Sequence, residues 1–91
     1  MKTLVIVDLT PINKTQLAQY SALAADTLKP FDGQFIAKGE IEVLHGEAPH
    51  PIKAVIQFPD KQRAKDWYNS AAYQAIIPLR EQGMECQFHL V

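Results

Sequence analysis

The apolar positions of this chain fall into short alternating runs and three- and four-residue stripes, and these mark out its elements in turn. Thr3 to Leu9 (TLVIVDL) is apolar in both alternating sets: Leu4 and Ile6 in one, Val5, Val7 and Leu9 in the other. Such a run, closed by Thr10-Pro11, predicts a strand covered on both faces. From Asn13 to Lys29 the period changes. Leu17, Tyr20, Ala24 and Leu28 form one helical stripe, with Ala18, Ala22 and Ala25 beside it. Asn13 is the expected N-cap and Gln16 the residue that reaches back to it, a variant of the capping box; Pro30 stops the helix.

Asp32-Gly33 reads as a turn. Gln34 to Leu44 reads as a long extended segment, bent or bulged at Lys38-Gly39 and closed by His45-Gly46-Glu47. Ala48 to Pro51 is a proline-rich loop. Ile52 to Phe58 is a third strand, with Ala54, Ile56 and Phe58 facing one way and Val55 and Gln57 the other. After Pro59, Asp60 is placed to cap a helix carrying Ala64, Trp67 and Tyr68. Asn69-Ser70 interrupts it, and Ser70 caps a second helix from Ala71 whose stripe is Tyr73, Ile76, Ile77 and Arg80. Pro78 predicts a kink or loosened last turns, and Gly83 a C′ stop. Met84 to Val91 alternates as a last strand, with Met84, Cys86, Phe88 and Leu90 on one side.

The order β-α-β-β-α-β is the split βαβ, ferredoxin-like pattern, an α+β fold. Residues 1–91 form one domain, with helices on one face of a four-stranded antiparallel sheet. The other face is expected to carry Val5, Val7 and Leu9. An open apolar face of that kind predicts a homodimer that packs these sheet faces together.

Composition narrows the function. Hydrophobic residues make up 47% and charged residues 21%, with a net charge of −1. No basic stripe is present, which disfavours nucleic acid. The single Cys86 fits a reducing compartment. The run Leu4 to Val7 is too short for a signal segment, and no stretch reaches a membrane span of roughly 20 apolar residues. A soluble, cytoplasmic protein is expected. His45, His50 and His89 have no metal-ligand spacing, and Cys86 falls in the apolar set of its strand, so no metal and no cofactor are expected. There is no glycine-rich phosphate loop and no nucleophile elbow.

The candidate chemistry is concentrated between Ala54 and Arg80, which holds the only Trp and two of the three Tyr. Trp67, Tyr68 and Tyr73 either line a flat apolar pocket or pack the helices on the sheet. Asn69 either offers its amide to a substrate or satisfies a helix end. Arg80 either grips an anionic group with its planar fork or complements a helix C-terminus. His45, expected at a strand end near a cleft mouth, either serves as general base or bonds a backbone carbonyl in a turn. Asp8 either faces His45 across the sheet and tunes it or caps the following loop.

Gly33-Gln34-Phe35, Lys38-Gly39, Val43-Leu44-His45-Gly46, Phe58-Pro59, Trp67-Tyr68-Asn69-Ser70, Tyr73-Gln74-Ala75 and Leu79-Arg80 follow one another in a spacing that covers nearly the whole chain. In these motifs the chain resembles the domain-of-unknown-function family numbered 1330. The resemblance implies a ferredoxin-like protomer in a dimeric α/β barrel and supplies no established activity. Lys38-Gly39 stands where Arg-Gly-Gly is usual, and His45 where many relatives carry Glu. The architecture is similar to that of small cofactor-free monooxygenases, muconolactone isomerases and dye-decolourising or haem-degrading proteins, an analogy of fold only. Two functions follow as expectations. One is a cofactor-free enzyme acting on a small organic molecule, with His45 moving a proton, Arg80 holding an anionic group, and Trp67, Asn69 and Tyr73 shaping the pocket. The other is a non-catalytic small-molecule-binding or scaffold module.

Overall fold

The computed structural model describes residues 2–91. Strand β1 (Thr3–Pro11) leads into helix α1 (Lys14–Leu28) and a short 3-10 turn (Lys29–Phe31). Strands β2 (Gln34–Glu40) and β3 (Ile52–Phe58) follow, then helices α2 (Lys61–Tyr68) and α3 (Ala71–Gly83) and strand β4 (Met84–Leu90). The sheet is antiparallel in the order β2-β3-β1-β4, which with the element order is the ferredoxin-like fold.

The caps form largely where the sequence puts them. Asn13 accepts from the Gln16 amide at 3.0 Å, Asp60 from Arg63 at 2.8 Å and Ser70 from Tyr73 at 3.2 Å. The capping box is only half made. The Gln16 side chain bonds Gln82 across the helix pair at 2.7 Å, and the Asn13 amide is taken by the Gly83 carbonyl. Helix α3 continues through Pro78 to Gly83.

One expectation about β1 is reversed. Val5, Val7 and Leu9 do not lie on the open face; they are buried beneath the helices. They pair with Ile56 and Ala54 of β3, with Ile52 beyond, and with Leu90, Phe88 and Cys86 of β4. The open face instead carries the half-buried Leu4, Ile6 and Asp8. Their cross-strand neighbours are Gln57, Val55 and Lys53 on one side and His89 and Gln87 on the other. The neighbouring strands decide the choice, because the apolar sets of β3 and β4 can share only one side of the sheet. Asp8 accordingly pairs with Lys53 at 3.2 Å, not with His45.

Two further corrections concern the second strand. It ends at Glu40, so Ile41 to Pro51 is loop, and His45 lies in that loop, exposed. The register shift falls between Phe35 and Ala37, earlier than Lys38-Gly39. Its effect is to bring Phe35 (opposite Ile56) and Lys38 (opposite Ala54) onto the helix-covered side, although three residues apart would normally mean opposite faces.

Two glycines are set by space. A Cβ on Gly33 would meet the Phe58 ring at 2.5 Å, and the left-handed residue of that turn is Asp32, with φ 56°. Gly83 is the last residue of α3, not a left-handed stop. A Cβ there would lie 2.8 Å from the Leu17 amide nitrogen and 2.9 Å from its Cα. The Gly83 carbonyl also accepts from Ile12 and Asn13 at 2.8 and 3.1 Å, so α3 and the start of α1 are joined backbone to backbone. Gly83→Ala should therefore destabilise the fold by about 1–3 kcal/mol, despite its better helix propensity. Gly39→Ala, with nothing within 4 Å of the new atom, should shift a denaturant midpoint very little. Equal midpoints for the two variants would show that the close approach carries no cost.

Candidate functional site

Between the helices and the sheet lies a cleft of about 90 Å³. Leu17, Tyr20, Ala24 and Leu28 of α1 form one wall, and Val7, Leu9, Ala54 and Ile56 form the sheet floor. Trp67 and Phe88 close the inner end, and Phe35 and Lys38 stand at the β2 side. The β2 bulge is what puts that pair there. The lining is almost wholly apolar, and Lys38 is its one charged residue.

Trp67 serves both of its expected readings. It is 1% exposed, packs its ring on Tyr73 and Phe58 at centroid distances of 4.4 and 5.4 Å, and also lines the cleft. Its indole nitrogen donates to Thr27 Oγ1 at 2.9 Å, and Thr27 in turn donates to the Ala24 carbonyl. Tyr73 is fully buried and does not line the cleft.

Arg80 lies behind this wall, 7% exposed. Its Nη1 donates to Tyr68 Oη and to Tyr73 Oη, each at 3.1 Å, and its Nη2 to Glu81 at 3.0 Å. The guanidinium carbon stands 4.8 Å from the Phe88 ring centroid. Its Nε is buried without a partner. Tyr20 Oη and Tyr73 Oη are hydrogen-bonded at 2.7 Å, which extends the chain from Arg80 to the cleft wall. Burial opposes the Arg80 charge, but the bonds it donates to Tyr68, Tyr73 and Glu81 outweigh it and hold the guanidinium protonated. Burial pushes the Tyr20 hydroxyl far above its usual range, and Tyr73 beside it adds to the effect. Burial also raises Tyr73, against the lowering pull of the bond it accepts from Arg80.

The remaining candidates fall elsewhere. Asn69 is exposed at the α2 C-terminus and lines a separate hollow with Lys65, Tyr68, Phe88 and His89. His45 sits over a shallow surface hollow with Glu42, Glu47 and Lys53 and does not reach the cleft. Cys86 packs against the core, and burial pushes its thiol up, away from nucleophilic use. No group of three His, Cys, Asp or Glu side chains among the described residues is arranged to hold a metal ion. Sequence reasoning missed Tyr20 and Lys38 as site residues. Tyr20 was legible only as a core position, and Lys38 only as part of a bend. The buried His50, bonded through Nδ1 to Thr10 Oγ1 at 2.8 Å, carried no sequence signal.

The fold and cleft define a small ferredoxin-like protein with an apolar site between sheet and helices. The chain belongs to the family described as Domain of unknown function (DUF1330), whose profile matches residues 2–91. No curated protein matches its sequence. Among solved structures it is similar to RPA0582, a protein of unknown function from Rhodopseudomonas palustris, with TM-score 0.80 and 10% identity over 99% of this chain and 80% of that one. It is similar to SnoaB, a cofactor-independent oxygenase from Streptomyces nogalater, with TM-score 0.72 and 8% identity over 99% and 90%. A dimeric ferredoxin-like protein of unknown function from Jannaschia sp. CCS1 aligns with TM-score 0.70 and 14% identity over 100% and 98%. At these identities the likeness is one of fold.

Two outcomes follow from the packing. Trp67→Ala should cost about 3–5 kcal/mol in a denaturant melt, and a loss below about 1 kcal/mol would mean the ring is not core. Stability should also fall in alkali. Tyr20 and Tyr73 keep their protons in the fold at pH values where the unfolded chain loses them, so the folded state binds more protons above about pH 10 and its stability declines as pH rises. Tyr20→Phe should flatten that decline between about pH 10 and 12. An unchanged slope would mean that Tyr20 ionises freely.

Proposed function

We propose that the protein is a homodimer that binds a small, mostly apolar organic molecule with an anionic or electron-rich oxygen in the helix–sheet cleft, and acts on it without a bound cofactor. The observation that carries this reading is the charge layout. An apolar cleft has a cation, Lys38, on its lining and a second, Arg80, behind its inner wall, with no carboxylate on the lining. Negative charge on a ligand, or charge that develops in a reaction, is the kind this arrangement favours. The cofactor-free activity named for SnoaB on the same fold is consistent with it.

The homodimer is supported by the half-buried Leu4, Ile6 and Val55 on the helix-free sheet face and by neighbours described as dimeric. A cytoplasmic setting fits the one free thiol. One observation favours the alternative of a non-catalytic binding module: His45, the residue suited to general-base work, lies outside the cleft of its own protomer.

Native mass spectrometry of freshly purified protein tests assembly and ligand together. A dimer carrying extra mass of a small organic compound is expected. A monomer would remove the homodimer, and a bare dimer that binds no member of a panel of small aromatic acids and phenols would remove the cleft reading. Turnover with a neutral-pH dependence abolished by His45→Ala would favour the enzyme. Binding without turnover, unchanged in His45→Ala, would favour the module.

A further inference from the structure

Hydrogen counting along the Arg80 chain singles out one residue that the sequence reading left in the core. A guanidinium only donates. Tyr73 Oη accepts from Arg80 Nη1 at 3.1 Å and is bonded to Tyr20 Oη at 2.7 Å. The two phenols bring two hydrogens, and their mutual bond uses one of them. Neither hydroxyl makes a further hydrogen bond among the described residues. One O–H is therefore left over. Tyr73 is fully buried and absent from the cleft lining, whereas Tyr20 is part of it. Of the two orientations of the phenol pair, the one with Arg80 donating to Tyr73 and Tyr73 donating to Tyr20 puts the spare hydrogen on the residue that lines the cleft.

We propose that Tyr20 is the ligand-anchoring donor of the cleft, and that it selects molecules with a carbonyl or enolate oxygen on a small apolar frame. This deepens the cleft reading and rests on it. Each donation strengthens the next, so the buried Arg80 charge reaches the ligand oxygen through two hydroxyls. The raised Tyr20 hydroxyl keeps its hydrogen across the neutral range and remains a donor. Tyr73 and Arg80 are positioning residues here, acting through Tyr20.

A shape-matched pair of probes isolates the donor: acetophenone, which has a carbonyl oxygen, and α-methylstyrene, which has a CH2 group in its place. Binding is followed by NMR shifts and by fluorescence of the cleft-lining Trp67. The wild-type protein should prefer acetophenone by about tenfold, the size of one charge-reinforced hydrogen bond. Tyr20→Phe should erase the preference while still binding both probes, and Tyr73→Phe should reduce it. An infrared measurement needs no variant. The carbonyl stretch of 13C-labelled acetophenone bound to the wild-type protein should lie below its value in hexane. Equal affinity for the two probes, or a hexane-like stretch, would overturn the role of Tyr20 and leave the cleft standing. Failure of the wild-type protein to bind either probe would overturn the cleft reading and this inference with it.

Discussion

A positive charge held out of water dominates the interior. Arg80 reaches four elements at once: Tyr68 at the end of α2, Tyr73 two turns earlier on its own α3, Phe88 on β4, and through Tyr73 the Tyr20 of α1. Its one carboxylate partner, Glu81, is more than half exposed, so hydroxyls and ring faces provide the rest of its solvation. A buried ion contributes little net stability under such conditions. What it does provide is direction. The fork has one planar geometry, and the rings that serve it must take matching positions. Trp67, in contact with Tyr68 and Tyr73, inherits its place from them.

Local signals in the sequence were enough for the order of the elements and their caps, but not for the end of the second strand, which stops at Glu40 rather than Leu44. The capping residues Asn13, Asp60 and Ser70 each act alone, on a neighbour three residues away, and each forms as read. What failed depended on distant partners. The first strand is apolar in both sets, so its own pattern could not choose a face; the polar residues Gln57, Lys53, Gln87 and His89 opposite Leu4, Ile6 and Asp8 chose it. Gln16 was diverted from its cap by Gln82, 66 residues away. Gly83 looked like a helix stop because glycine often is one; its cause is the backbone of Leu17.

The site was legible to the same degree. The aromatic series and Arg80 stood out by residue type, and the structure does gather Trp67, Tyr73 and Arg80 into one cluster. Asn69 and His45 were chosen by the same chemical reasoning and fall on separate surfaces. Tyr20 was hidden because a tyrosine on an apolar stripe reads as core, and the bond that gives its hydroxyl a role crosses 53 residues. Lys38 was hidden because its side of the sheet depends on a bulge two residues earlier.

That bulge also bears on how the molecule meets copies of itself. β2 is an outer strand with every residue exposed, and a straight outer strand is a template on which further strands can add without end. The extra residue at Ile36 breaks the regular spacing of its free amides and carbonyls, and Lys38 and Glu40 place charge along it. These features blunt the edge against sheet extension. Contact through the flat of the sheet, unlike contact along its edge, closes on itself after two copies. A one-residue insertion thus works against the open-ended mode of self-association and leaves the closed one untouched.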